Sequence, residues 1–158
     1  MKLEVFMSPG ELTPGDVQGR VVAVIDVLRA STSIAVALAN GARTVVPVED
    51  VDEAITRSKQ FERSHVRLAG ERKMLAIPGF DMGNSPREFT AEAVRDCTVL
   101  LTTTNGTRAL LALSGARDIV VASYVNHAAV SAMLRAAARS NDISIYCPAT
   151  PPFLSYKS

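Results

Sequence analysis

The sequence predicts an α/β fold: a three-layer arrangement of a mainly parallel β-sheet with helices on both faces. Three observations carry this. Residues 21–27 form a nearly unbroken β-branched run, the pattern of a strand buried on both faces. An Ala-rich helical segment follows it across a short polar loop. The same plan of apolar strand, polar loop and small-residue helix returns at residues 26–41, 102–115 and 123–140, without a fixed period. With 158 residues, 47% of them hydrophobic, a single domain over 1–158 is expected, long enough to bury a core.

In chain order, residues 3–7 alternate weakly and predict an edge strand, with turn chemistry at Ser8-Pro9-Gly10 and Thr13-Pro14-Gly15-Asp16. After the 21–27 strand, a helix over 33–39 stops at Gly41, and residues 43–48 predict a short strand with Pro47 near its exit. Val51, Ala54, Ile55, Ser58 and Phe61 recur at helical spacing behind four acids that suit a helix start, a scaffolding helix. A strand over 66–69 runs into Gly70-Glu71-Arg72, and residues 70–86 hold no period, which marks a long functional loop. A short helix over 87–94, a strand over 98–101, a helix over 108–113 and a strand over 119–122 follow. Asn126 is expected to cap a helix running to Arg139, and residues 143–147 form the last strand.

Composition excludes several classes. The mean hydropathy of +0.16 rules out a disordered chain, and no apolar run approaches a membrane span. Met1-Lys2-Leu3-Glu4 does not begin a signal peptide, so a cytoplasmic protein is expected. Seventeen basic against sixteen acidic residues leave a net charge of +1, with no global field for nucleic acid. Cys97 and Cys147 fit no metal or redox spacing and are expected to pack as small apolar residues. Neither a Walker A loop nor a dinucleotide fingerprint is present, and serine-hydrolase motifs are absent.

The polar loops carry the chemistry. Asp26 ends a buried strand. It reads either as a structural carboxylate capping the next turn or pairing with Arg29, or as a strand-terminal acid that holds Mg²⁺ near a phosphate. Arg29 has the planar fork for bidentate contact with phosphate or sulfonate. Ser31 and Thr32 are expected as helix N-caps at an anion-binding helix start. Residues 102–107 place four threonines, Asn105 and Gly106 together, a donor-rich concavity where glycine lets the backbone approach closely. Glu71 and Asp81 read as solvated loop charges or, with Asp26, as oxygen ligands of a hard divalent cation. Asn84 and Ser85 read as turn formers on residue type alone.

Four blocks make the sequence recognisable: Asp26-Val27-Leu28-Arg29-Ala30-Ser31-Thr32, Gly70-Glu71-Arg72, Pro78-Gly79-Phe80-Asp81-Met82-Gly83-Asn84-Ser85-Pro86 and Thr102-Thr103-Thr104-Asn105-Gly106-Thr107-Arg108. In this order they resemble the 2-phosphosulfolactate phosphatase family, and a weaker likeness continues through residues 123–126. The resemblance implies an α/β, Mg²⁺-dependent phosphatase that removes phosphate from 2-phospho-3-sulfolactate in making coenzyme M. It does not settle which residue attacks phosphorus: Asp26 is expected to ligate Mg²⁺ or to act as nucleophile, with Arg29 and Glu71 also in catalysis and Glu71 and Asp81 as further acids at the metal. It implies that Ser31, Thr32, Asn84, Thr103, Thr104, Asn105, Gly106 and Thr107 hold anion oxygens. Family members carry an acidic pair after a Phe-Ser-like segment near the C-terminus, and here residues 148–158 lack it, so the C-terminal part of the family domain is expected to be missing. A homodimer is expected, because missing strands would leave a sheet edge to pair. The competing expectation is a non-catalytic anion-binding or assembly domain that lost turnover with its C-terminal part.

Overall fold

The computed structural model describes residues 1–148, and the departure at residues 149–158 lies outside them. Thirteen regular elements follow one another: β1 (Leu3–Phe6), β2 (Val21–Ile25), α1 (Ala30–Ala39), β3 (Thr44–Pro47), α2 (Val51–Ser58), β4 (Val66–Arg72), β5 (Leu75–Ala76), α3 (Ala91–Val94), β6 (Thr98–Thr102), α4 (Gly106–Leu111), β7 (Asp118–Ala122), α5 (His127–Ala137) and β8 (Ile143–Tyr146). The α/β class and the parallel pairing hold. The strands divide, however, between two four-stranded sheets, ordered β1-β8-β2-β7 and β3-β6-β4-β5. The first is parallel throughout, with Val21 opposite both Asp118 and Ile143. In the second only the two-residue β5 runs antiparallel, folding back so that Arg72 faces Leu75.

Alternation along the strands tells each sheet where its helices lie. In β2, Val22 and Val24 join Ala109 of α4 and Tyr146 in one apolar cluster. Val21, on the opposite face, meets Val120, Ala122 and Val130 of α5. In the second sheet Ala69, Val99 and Leu101 face Ile34 and Ala37 of α1, while α2 covers the other face through the fully buried Ala54. Both sheets therefore carry helices on both faces, and the layer of α1 and α4 between them is shared. Leu110 of α4 touches the clusters on either side.

That shared layer follows from connectivity. The chain leaves the first sheet at β2 and crosses through α1 to β3 of the second; it leaves the second at β6 and returns through α4 to β7. Both crossover helices start at carboxyl strand ends, the usual place for ligands in α/β proteins. Cys97 is buried in the core and Cys147 half-buried, both as free thiols, in keeping with their apolar role. Among the described residues no helix is long and apolar enough to cross a membrane.

Candidate active site

The site forms where the two crossover helices begin. Gly106, the first residue of α4, lies so close to α1 that a Cβ there would fall 2.4 Å from the Ala30 Cβ and 2.9 Å from Asp26 Oδ2. Only glycine admits this approach, which brings the Asp26 loop of one sheet against the Thr103–Thr107 loop of the other. The close backbone approach expected at Gly106 is made against Ala30 and Asp26.

Asp26 is half-buried at the end of β2. Burial is the main cause that pushes its carboxyl above the usual range, helped by the charge of Glu71. Hydrogen bonds from the backbone N–H groups of Ala30 and Arg29, and the Arg29 charge, oppose this without cancelling it. The side-chain acceptor at the start of α1 is therefore Asp26. Ser31 and Thr32 are not N-caps, as the sequence led one to expect. They lie inside the first turn, where Ser31 Oγ accepts from the Asp26 N–H at 2.9 Å and Thr32 Oγ1 donates to the Val27 carbonyl at 2.8 Å. The Ser31 N–H goes to the Asp26 carbonyl at 3.0 Å. Most first-turn donors of α1 are thus engaged within the protein rather than left for an anion. Arg29 is half-buried and makes no ion pair among the described residues.

Glu71, near the end of β4, is buried. Burial alone would raise its carboxyl, but hydrogen bonds outweigh it and hold the group below the usual range. The donors are the Thr104 N–H at 2.7 Å, the Met74 N–H at 2.8 Å and the Thr104 hydroxyl at 3.1 Å. Glu71 therefore keeps its charge and ties the Thr103–Thr107 loop to β4.

The four threonines do not form the expected open concavity. Thr103 and Thr107 clasp each other: the Thr103 N–H donates to Thr107 Oγ1 at 2.9 Å, and the Thr107 N–H to Thr103 Oγ1 at 3.0 Å. Thr102 is fully buried, accepting from Arg72 Nη2 at 2.7 Å. Thr104 and Asn105 are exposed, with the Thr104 hydroxyl turned to Glu71.

Asp81 is not brought to this group. Its carboxylate pairs with Arg63 and accepts the Leu68 N–H at 2.8 Å, at the start of β4, three residues or roughly 10 Å of strand before Glu71. The Arg63 bond, together with the Leu68 N–H, holds this acid below the usual range against the burial that would raise it. Among the described residues no three His, Cys, Asp or Glu side chains assemble as a metal-binding group, and Asp81 keeps partners of its own. Asn84, a plain turn former by residue type, proves the more informative residue. It is buried beside α1, with Ser33 Oγ donating to its carbonyl at 2.9 Å, and its Oδ1 has no hydrogen-bond partner among the described residues. No pattern in the sequence marked Ser33. At the third loop, the Ser123 N–H donates to Asn126 Oδ1 at 2.8 Å, so those side chains hold their own turn.

Comparisons with known proteins point to one family. The family model for 2-phosphosulpholactate phosphatase matches residues 6–152. A probable 2-phosphosulfolactate phosphatase of Caldanaerobacter subterraneus subsp. tengcongensis is 41% identical over 157 residues, covering 99% of this chain and 64% of that protein. Relatives with the same name in Symbiobacterium thermophilum and Clostridium acetobutylicum are 45% and 43% identical, over 85% and 83% of this chain and 57% and 55% of their own lengths. The chain thus spans less than two thirds of these relatives. With a family model matched along nearly its whole length and the motif blocks gathered at one pair of helix starts, the chain belongs to the 2-phosphosulfolactate phosphatase family.

Proposed function

We propose that this chain is a phosphoric monoester hydrolase that cleaves the phosphate ester of 2-phospho-3-sulfolactate to sulfolactate and inorganic phosphate, a cytoplasmic step of the coenzyme M type. The observation that carries the reading is the meeting of Asp26, Arg29 and Glu71 at the start of the two crossover helices. A half-buried acid of raised proton affinity there stands beside a fully ionised one and a guanidinium. Arg29 would take two phosphoryl oxygens through its fork. Glu71 keeps the Thr104–Asn105 segment against the substrate, and Asp26 is the acid left to act at the reacting phosphate.

Mg²⁺ fits this donor set. Two carboxylates share one field that the Arg29 charge partly offsets, and the buried Asn84 Oδ1 is an oxygen ligand without a partner among the described residues. Mg²⁺ typically takes one or two carboxylates and keeps waters and substrate oxygens for its other positions. Asp26, Glu71 and Asn84 would hold it. When bound, it would offset charge developing on the phosphoryl oxygens.

The test is phosphate release from 2-phospho-3-sulfolactate, with Mg²⁺ and with a chelator. Release that needs Mg²⁺ supports the reading, and none from folded protein sinks it. The reading of a non-catalytic anion-binding domain draws on the span of 55–64% of the relatives. It predicts calorimetric binding of the substrate without turnover. We further propose a homodimer through the β1 side of the first sheet, where Leu3 and Val5 are 56% and 53% exposed beside Ile143 and Ile145. Light scattering at the monomer mass over the micromolar range would exclude it.

A further inference from the structure

We infer that a second anion subsite lies in the cavity on the outer side of the Thr104–Asn105 segment, and that it takes the acid end of the substrate, sulfonate or carboxylate, through Arg108 and Tyr146. The inference rests on the phosphatase reading for the identity of the ligand, and on the cavity for its place.

The cavity, of about 820 Å³, runs between α4 and the segment after β1, with Ser8, Thr13, Thr104, Asn105, Arg108 and Tyr146 among its walls. Arg108 is the one charged side chain among its described lining residues. It is exposed and makes no ion pair or hydrogen bond through its guanidinium among the described residues. A second observation is independent of it. Tyr146, at the end of β8, lines the same cavity, and its hydroxyl has no hydrogen-bond partner among the described residues. A cavity wall that offers a guanidinium and an unmatched O–H is built for an oxyanion.

Two anion positions on either side of one loop match a ligand with anionic groups at both ends. Asp26 and Arg29 lie where Gly106 meets α1, and Arg108 is two residues further along α4. With the phosphate ester at Arg29, the acid groups on the neighbouring carbons point past Thr104 and Asn105 into the cavity. A simple phosphate ester would leave Arg108 and Tyr146 without a partner, so this subsite separates the substrate from other phosphomonoesters.

The experiment is calorimetric binding of sulfolactate, lactate and inorganic phosphate to the wild-type chain, Arg108→Gln and Tyr146→Phe. Arg108 is exposed and Tyr146→Phe keeps the ring, so both variants are expected to fold. A hydrogen bond to a charged group corresponds to roughly a tenfold to hundredfold change in affinity. Each variant is expected to weaken sulfolactate binding by that factor and leave phosphate binding within about twofold. If lactate binding falls equally, the group held is the carboxylate; if lactate is unaffected, it is the sulfonate. Unchanged sulfolactate binding in both variants, equal losses for phosphate and sulfolactate, or no sulfolactate binding to the wild type each overturn the inference. Sulfolactate binding that depends on Arg108 without any turnover would overturn the proposed hydrolysis and leave the subsite standing.

Discussion

The two strand ends that meet at the site treat their acids in opposite ways. At the end of β4, Glu71 is buried and accepts three hydrogen bonds, which hold its carboxyl below the usual range. At the end of β2, the burial of the Asp26 carboxyl outweighs the two backbone donors that reach it, and the carboxyl rises. What separates the two acids is the balance between the burial of the carboxyl and the donors that reach it. Glu71 is tied by its donors to the loop and brings its charge to the site, whereas Asp26, in the field of that neighbouring charge, is the acid left reactive.

The sharpest way to break this contrast is Asp26→Asn. It is expected to lower turnover by about 10²- to 10⁴-fold, the usual worth of a positioned acid–base group. Its effect on stability has the opposite sign to an ordinary acid loss. A carboxyl raised in the folded state contributes stability that is complete below its unfolded pKa and is lost as pH rises through the folded one. The variant should therefore melt no lower than wild type at pH 7; a lower melting temperature by calorimetry would show Asp26 to be a structural acid.

Next comes Gly106→Ala, which pushes a methyl group into Ala30 and Asp26. Overpacking of this kind costs about 1–3 kcal/mol, read by chemical denaturation, and it should lower activity along with stability. Glu71→Gln sharpens the other half of the comparison. It turns an acceptor into an amide facing N–H donors, at a cost of about 1–3 kcal/mol. Because the Glu71 carboxyl is held low, its contribution is present above the ordinary value of 4.5 and fades as pH falls below it. Unfolding free energies measured from pH 7 down to pH 3 should converge for wild type and variant; a constant gap would contradict the origin assigned here. The smallest effect belongs to Asp81→Asn. Its partner Arg63 is exposed and the Leu68 N–H can still be met, so a loss below about 1 kcal/mol and full activity are expected. Lost activity with a stable fold would return Asp81 to the site.

What the sequence disclosed follows from what periodicity can encode. Residues 21–25 were legible as a buried strand because every position is apolar and most are β-branched, and the Ala-rich α5 because its small residues repeat at helical spacing. The division into two sheets was not legible, since β2 and β6 have the same pattern and pairing partners leave no mark on either. β5, two residues long, has no period at all. The motif blocks located the site, but not the use of each side chain. Ser31 and Thr32 look like caps until Asp26 is seen taking that place, and the partner of Asp81 lies 18 residues back in the chain. The unmatched Oδ1 of Asn84 depends on what happens not to surround it, which no local pattern records.

The bonds to Glu71 also set how the two loops exchange with solvent. Amide hydrogens in loops ordinarily exchange with heavy water fast, because the N–H faces solvent. Those of Thr104 and Met74 are locked onto a buried carboxylate and can exchange only when β4 and the loop part. In deuterium these two loop amides mark the opening of the site itself, and they do so without any substrate present.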